Sequence, residues 1–248
     1  MPDPSVTACL LIIGNEILSG RTQDANLAYL GKRLDALGIR LMEARVVPDR
    51  EPVIAATLNE LRAQFNYVFT TGGIGPTHDD ITAECVAKAF GVPLIQNPES
   101  RAILEAHYVP GDLNEARLRM ANTPEGASLI ENPVSHAPGF QMDNVFVMAG
   151  IPVIMQAMFE SIAHQLTGGA PLISRSVTVD LPEGTLAKDF GALQARYPEV
   201  EMGSYPFSRG GRLGVRLVLR ATEEDRLSAA AGELDGMIGA LGGAITDD

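Results

Sequence analysis

Residues 67–82, YVFTTGGIGPTHDDIT, constrain this chain more than any other stretch. Tyr67, Val68 and Phe69 are apolar and β-prone, as expected of a parallel strand buried on both faces. Gly72, Gly73 and Gly75 then remove three Cβ atoms, so the backbone can turn tightly and approach a ligand closely. Pro76 restrains the loop. Asp79, Asp80 and Thr82 follow, and the spacing of Ile81, Cys85 and Ala89, with Val86 and Phe90, predicts a helix. Strand, glycine loop and helix N-terminus in that order form a common build for a phosphate site.

Two features separate this stretch from familiar phosphate loops. It matches neither G-x-x-x-x-G-K-[ST] nor G-x-G-x-x-G, and it contains no lysine or arginine. Asp79 and Asp80 suit a helix N-terminus, yet they repel a bare phosphate. One reading is therefore a divalent cation, Mg²⁺ or a similar hard metal, joining these acids to a phosphate or pyrophosphate. The other is that both aspartates are N-cap and first-turn residues.

The remainder of the first two-thirds reads as alternating strands and helices. An apolar run over 8–13 predicts a buried strand that ends in Gly14, Asn15 and Glu16, with Gly20 closing a short loop. Asp24 is expected to cap a helix carrying Leu27, Leu30, Leu34 and Leu37, stopped by Gly38. A strand over 41–47 and a helix opened by Asp49 and Pro52 precede the glycine stretch, with Ile54, Leu58, Leu61 and Phe65 facing inward. This order implies a parallel sheet with right-handed crossovers and ligands beyond the strands' carboxyl ends. Glu16 and Asp80 are then expected at one edge. Further on, helices are expected over 98–108 and 114–121, a short strand over 129–130, a loop over 132–140 and a strand over 145–148. Pro152 should be the first residue of a helix that buries Ile154, Met158, Ile162 and Leu166. TGGAP at 167–171 reads as a linker. The pattern after it, strand, helix, two strands joined by a hairpin turn at 208–212 and a final helix over 223–241, predicts a second small α+β domain. The expected boundaries are 1–168 and 172–248.

The net charge of −12 argues against non-specific nucleic-acid partners and anionic membrane surfaces. Cys9 and Cys85 are far apart in apolar segments and read as buried reduced thiols, which points to the cytoplasm. The N-terminus has no basic region before its apolar run, and that run is too short to span a bilayer.

Four blocks carry a resemblance to a known family. They are GNEILSG at 14–20 with DANLAYL at 24–30, TTGGIGPTHDD at 70–80, LNEARLRMANTPEGA at 113–127, and APGF at 137–140 with AGIPVIM at 149–155. The first domain resembles the MoaB/Mog-type molybdopterin-binding family, and within it the N-terminal part of the CinA branch (competence/damage-inducible protein A). LPEGTLAKDF at 181–190 and GSYPF at 203–207 resemble the small KH-like domain that follows in that branch. The chain departs from the CinA pattern at Ser135-His136 and at Ala149, both in expected pocket loops. The C-terminal amidohydrolase domain of full-length CinA proteins is not within these 248 residues, so nicotinamide-nucleotide deamidation is not expected of them.

The resemblance implies a three-layer αβα fold with a mostly parallel sheet, and two chemistries at a phosphoanhydride. One branch binds molybdopterin and transfers an adenylyl group; the other cleaves the pyrophosphate of ADP-ribose-like or FAD-like dinucleotides with a divalent metal. It assigns Asp80 as the essential acid, Asp79 as an added acid and Glu16 as the first-loop acid, with Asp80 and Asp79 on the metal. Gly72, Gly73 and Gly75 offer N–H groups to phosphates, Gly150 belongs to a closing loop, and Thr71 and Thr77 are candidate hydroxyl contacts. Asn15 and Asn26 are read either as base or pterin contacts or as residues that tie down turns. His78 is a candidate metal ligand and His136 a candidate substrate contact. Arg21, Arg209 and Arg212 read as exposed arginines. The expected partners are a dinucleotide or pterin and further copies of the chain, as a dimer or trimer.

Overall fold

Alternation along the first strand sorts its residues to two cores. In the computed structural model, which describes residues 6–109, 111–209 and 212–246, strand β1 spans Val6–Ile13. Ala8, Leu10 and Ile12 pack on one face, and Cys9, Leu11 and Ile13 on the other. A short helix α1 (Asn15–Leu18) follows, then α2 (Asn26–Ala36), β2 (Ile39–Val47), α3 (Glu51–Gln64) and β3 (Tyr67–Thr71). Next come α4 (Thr82–Phe90), β4 (Leu94–Gln96), α5 (Pro98–His107) and α6 (Glu115–Leu118), the last continued by a 3-10 turn. The unit closes with β5 (Asn122–Pro124), β6 (Ser128–Ile130), β7 (Gly139–Met142), β8 (Val145–Met148) and α7 (Pro152–Ile162).

The six-stranded sheet has the order β2-β1-β3-β8-β7-β6. β2, β1, β3 and β8 are parallel, while β7 at the other side pairs antiparallel with both β8 and the edge strand β6. Leu30 and Leu34 of α2 and Met155, Met158 and Phe159 of α7 cover one face. Leu58 and Leu61 of α3 and Cys85 and Val86 of α4 cover the other. This is the mostly parallel, three-layer α/β arrangement anticipated from the alternation of elements.

Several local expectations shift. Leu27 is exposed rather than part of the buried stripe, although Asp24 does accept the Leu27 N–H at 2.9 Å. Asp49 does not cap α3; its carboxylate accepts the Asn15 N–H at 2.8 Å. Residues 139–140, read as loop, open β7, because Gly139 pairs with Ile130 of β6 and Phe140 with Val147 of β8. Asn122–Pro124 forms a strand against β4 rather than a simple helix end. In α7 the buried set is Met155, Met158, Phe159 and Ile162, and Ile154 is only partly covered.

The chain divides into units at 1–169 and 170–248. The second contains β9 (Ile173–Val179), α8 (Glu183–Arg196), β10 (Glu201–Arg209), β11 (Arg212–Ala221), α9 (Glu224–Ala240) and β12 (Ile245–Thr246). Its antiparallel sheet has the order β10-β11-β9-β12. Val215, Leu217 and Leu219 alternate inward onto Leu186, Leu193, Leu227 and Leu234. Leu213, in phase with them, is exposed near the hairpin tip. The hairpin strands extend further than expected, and residues 210–211, where the turn was expected, lie outside the described set. Among the described residues no helix is long and apolar enough to cross a membrane.

Candidate functional site

β1, β3 and β8 are neighbours and parallel, so the segments that follow them emerge at the same edge of the sheet. The chain goes from β1 to β2 on one side and to β3 on the other, the kind of position where open α/β sheets form a ligand crevice. A cavity of about 590 Å³ lies there, within the usual range for small-ligand sites. Glu16 after β1, Gly72, Gly73, Gly75 and Asp80 after β3, and Gly150 after β8 all line it.

The glycine turn is built against the sheet. Gly72 has φ 100°, donates its N–H to the Met148 carbonyl at 3.1 Å and accepts from the Thr82 hydroxyl at 3.0 Å. Its N–H is therefore committed to β8 and is not a phosphate donor. Among the described residues, the N–H groups of Gly73, Ile74 and Gly75 have no protein acceptor. Unpaired donors on a cavity-lining loop suit an anion.

The two aspartates are not helix caps. α4 begins at Thr82 and has no side-chain cap. Asp80 instead accepts from the Thr77 N–H at 2.8 Å and, through the same oxygen, from the Thr77 hydroxyl at 2.6 Å. That hydroxyl is also within 2.6 Å of Asp79 Oδ1. The Thr77 bond is the leading reason that the Asp79 carboxyl lies below its ordinary value of 3.8. Arg119 reaches the carbonyls of Thr77 at 2.8 Å and Asp80 at 3.4 Å, which pins the same turn.

The other candidates fall in distinct places. Thr71 is buried, its hydroxyl has no hydrogen-bond partner among the described residues, and neither it nor Thr77 lines the cavity. Asn15 is exposed and is held through its backbone N–H. Asn26 is buried and donates to the Gly150 carbonyl at 2.8 Å, tying the start of α2 to the loop after β8. His78 has 96% of its side chain exposed and is 3.9 Å from Asp79. His136 adopts φ 61° and stacks on His107 with ring centroids 4.4 Å apart. Arg21 is exposed, and the side chains of Arg209 and Arg212 lie outside the described residues.

Glu16 and Asp80 are the acids of the cavity lining; Asp79 is not among its residues. Among the described residues no group of three His, Cys, Asp or Glu side chains is placed to hold a metal ion. Glu16 and Asp80 are of the donor type that a magnesium-like cation takes, since such an ion is commonly held by one or two carboxylates and completes its shell with water and substrate phosphates. They do not form a closed protein cage.

Two contributors escaped the reading of residues 67–82. Arg117, at the end of α6, lines the cavity, and Asn132 organises its far rim. Buried Asn132 donates to Ser135 Oγ and the Ala137 carbonyl, both at 2.7 Å, and accepts from the N–H groups of Val134 and Ser135. The sequence signal for Arg117 was its place in block 113–127; for Asn132 it was an Asn-Pro at a loop start.

The fold and site together define an α/β ligand-binding protein with a glycine loop and two carboxylates at one sheet edge. Residues 9–168 match the family model MoCF_biosynth, described as a probable molybdopterin binding domain. The chain belongs to this MoaB/Mog-type molybdopterin-binding domain family. Residues 171–242 match the model described as FAD synthase, middle domain. A protein from Aeropyrum pernix is 34% identical, with 97% of each chain covered. A CinA-like protein from Citrifermentans bemidjiense is 36% identical over 91% of this chain and 56% of its own length. The chain thus spans little more than half of that relative. The crystal structure of a CinA protein of unknown function from Thermoplasma acidophilum superposes with a TM-score of 0.62 at 32% identity, covering 66% of this chain and 99% of that one.

Proposed function

We propose that the chain is a metal-dependent nucleotide pyrophosphatase that cleaves the phosphoanhydride of ADP-ribose-like or FAD-like dinucleotides. The observation carrying this reading is the convergence of Glu16, Asp80 and the free N–H groups of the 73–75 loop on one cavity of nucleotide size. The N–H groups of Gly73 and Gly75 receive phosphoryl oxygens and offset charge that builds up on them. Asp80, fixed by Thr77, and Glu16 would hold a hard divalent cation. Such an ion, when bound, supplies charge neutralisation at the phosphoryl oxygens. Asn26 keeps Gly150 and its loop against the cavity.

The test is AMP release from ADP-ribose, FAD, NADH and ATP with Mg²⁺, Mn²⁺ or Co²⁺, beside Asp80→Asn. Asparagine retains an oxygen that can accept both Thr77 bonds while removing the charge, so the turn persists. The variant should lose roughly 10² to 10⁴ in rate, several kcal/mol of barrier. No AMP from any dinucleotide in the parent chain sinks the reading. The match to a molybdopterin-binding domain favours a second one, binding or adenylylation of molybdopterin, which predicts a pterin-dependent consumption of ATP.

A further inference from the structure

The glycine loop carries no basic side chain, and the acids beside it repel an anion; the divalent cation proposed above would offset those acids, and a basic side chain in the cavity lining would add a fixed positive charge beside it. Among the described residues, Arg117 is the basic side chain of that lining. It lines the same cavity as Glu16, Asp80 and the glycine loop, although it lies 37 residues beyond Asp80 in sequence. Its guanidinium lies over the Tyr108 ring, 4.7 Å from the centroid, and one of its nitrogens donates to the Asp112 carbonyl. Its backbone is fixed as well, because Arg117 N–H donates to Asn114 Oδ1 at 3.0 Å.

Charge bookkeeping sharpens the point. The chain has 31 acidic and 19 basic residues, and Arg33, Arg45, Arg101, Arg175, Arg196 and Arg226 all pair with carboxylates. Arg117, like Arg62 and Arg119, has no ion pair among the described residues, and of these three it is the one that lines the cavity. An arginine held by an aromatic face and a carbonyl keeps most of its five donors in a fixed plane, ready for two oxygens of a phosphate. Tyr108 also lines the cavity, and His107 packs edge-on against it at 5.0 Å, so the platform under the guanidinium is itself braced.

We infer that Arg117, oriented by Tyr108, is the residue that grips the phosphate of the bound ligand, in the cavity that Asp80 and Glu16 also line. The inference rests on the phosphoanhydride reading above and extends it to a residue that determines specificity for phosphorylated ligands. Tyr108 acts through Arg117 and is a positioning residue.

The experiment is calorimetric titration of the whole chain with ADP-ribose, inorganic pyrophosphate and adenosine, each with Mg²⁺. It compares the parent with Arg117→Gln, Arg117→Lys, Tyr108→Phe and Tyr108→Leu, and thermal melts of every variant accompany it. Arg117→Gln should bind ADP-ribose and pyrophosphate roughly 10- to 100-fold more weakly, the scale of a charged hydrogen-bond pair. Adenosine binding should not change. Arg117→Lys should recover only part of the loss, Tyr108→Phe should match the parent, and Tyr108→Leu should weaken phosphate ligands alone. Pyrophosphate or ADP-ribose binding by Arg117→Gln within twofold of the parent overturns the inference, as does equal weakening of adenosine. If the parent binds phosphate ligands without releasing AMP, the proposed hydrolysis fails while Arg117 is still decided by affinity. If the parent binds no pyrophosphate at all, Arg117 as a phosphate grip is overturned too.

Discussion

Replacing Gly72 by alanine tests how the glycine loop is built. At φ 100° an alanine enters a region that costs L residues about 1–2 kcal/mol. The new Cβ would also meet the Ile13 carbonyl oxygen in hard overlap, with the carbonyl carbon 3.3 Å away. Ile13 ends β1, which is paired on both sides by β2 and β3, so this backbone has little room to yield. Overpacking of that kind adds about 1–3 kcal/mol. Gly72→Ala is therefore expected to cost about 2–5 kcal/mol. Gly91→Ala is the control. Its φ is 68°, but its Cβ would have nothing within 4 Å, so only the conformational cost of about 1–2 kcal/mol remains. Cys9 and Cys85 are both buried in the first unit, and their labelling through a urea titration follows that unit alone. The Gly72 variant should reach half-labelling at a clearly lower urea concentration than the Gly91 variant. Equal midpoints would refute the claim that close approach to β1, rather than φ alone, requires glycine at 72.

Two further outcomes follow from charge and burial. Arg33 holds Glu160 through two bonds of 2.7 Å, and Tyr29 adds a third contact, so the Glu160 carboxyl lies below its ordinary 4.5. The stabilisation is present above pH 4.5 and is lost as pH falls through the lowered native value; because both partners are partly exposed, Glu160→Gln should cost only about 0.5–1 kcal/mol at pH 7 and flatten the acid side of the melting curve. Burial pushes the Cys9 and Cys85 thiols up to about 12 from 9.0, so stability should fall as pH rises through that window, and Cys9→Ala with Cys85→Ala should lessen the fall if native packing survives. The same burial predicts that neither native thiol reacts with a disulfide reagent at pH 8 until the chain opens.

What the sequence determined by itself was mostly periodic or local. The continuous apolar runs at 8–13 and 67–69 specify strands buried on both faces, and leucine spacing specifies the helices over them. The glycine spacing of 72–75 and Gly38 after its helix are local conformational demands, and they can be read without knowing what lies nearby. The resemblance blocks placed Glu16, Asp80 and Gly150 in one site because motifs record positions.

What only the tertiary structure decided was which groups meet. One of the two readings of Asp79 and Asp80 made them helix caps, since carboxylates suit a helix N-terminus, yet Thr77 bonds to both, and the helix starts two residues past Asp80. Gly72 N–H looked like a phosphate donor until β8 claimed it. Arg117 lines the cavity because its segment returns to the glycine loop, where Arg119 bonds the Thr77 and Asp80 carbonyls, and Asn26 meets Gly150 across 124 positions of sequence. Such contacts depend on the crossing of distant segments, which hydrophobic period and turn chemistry leave open. A hydrogen bond is decided by a few tenths of an ångström, so the partner of a polar side chain exists only once the packing that sets those distances exists.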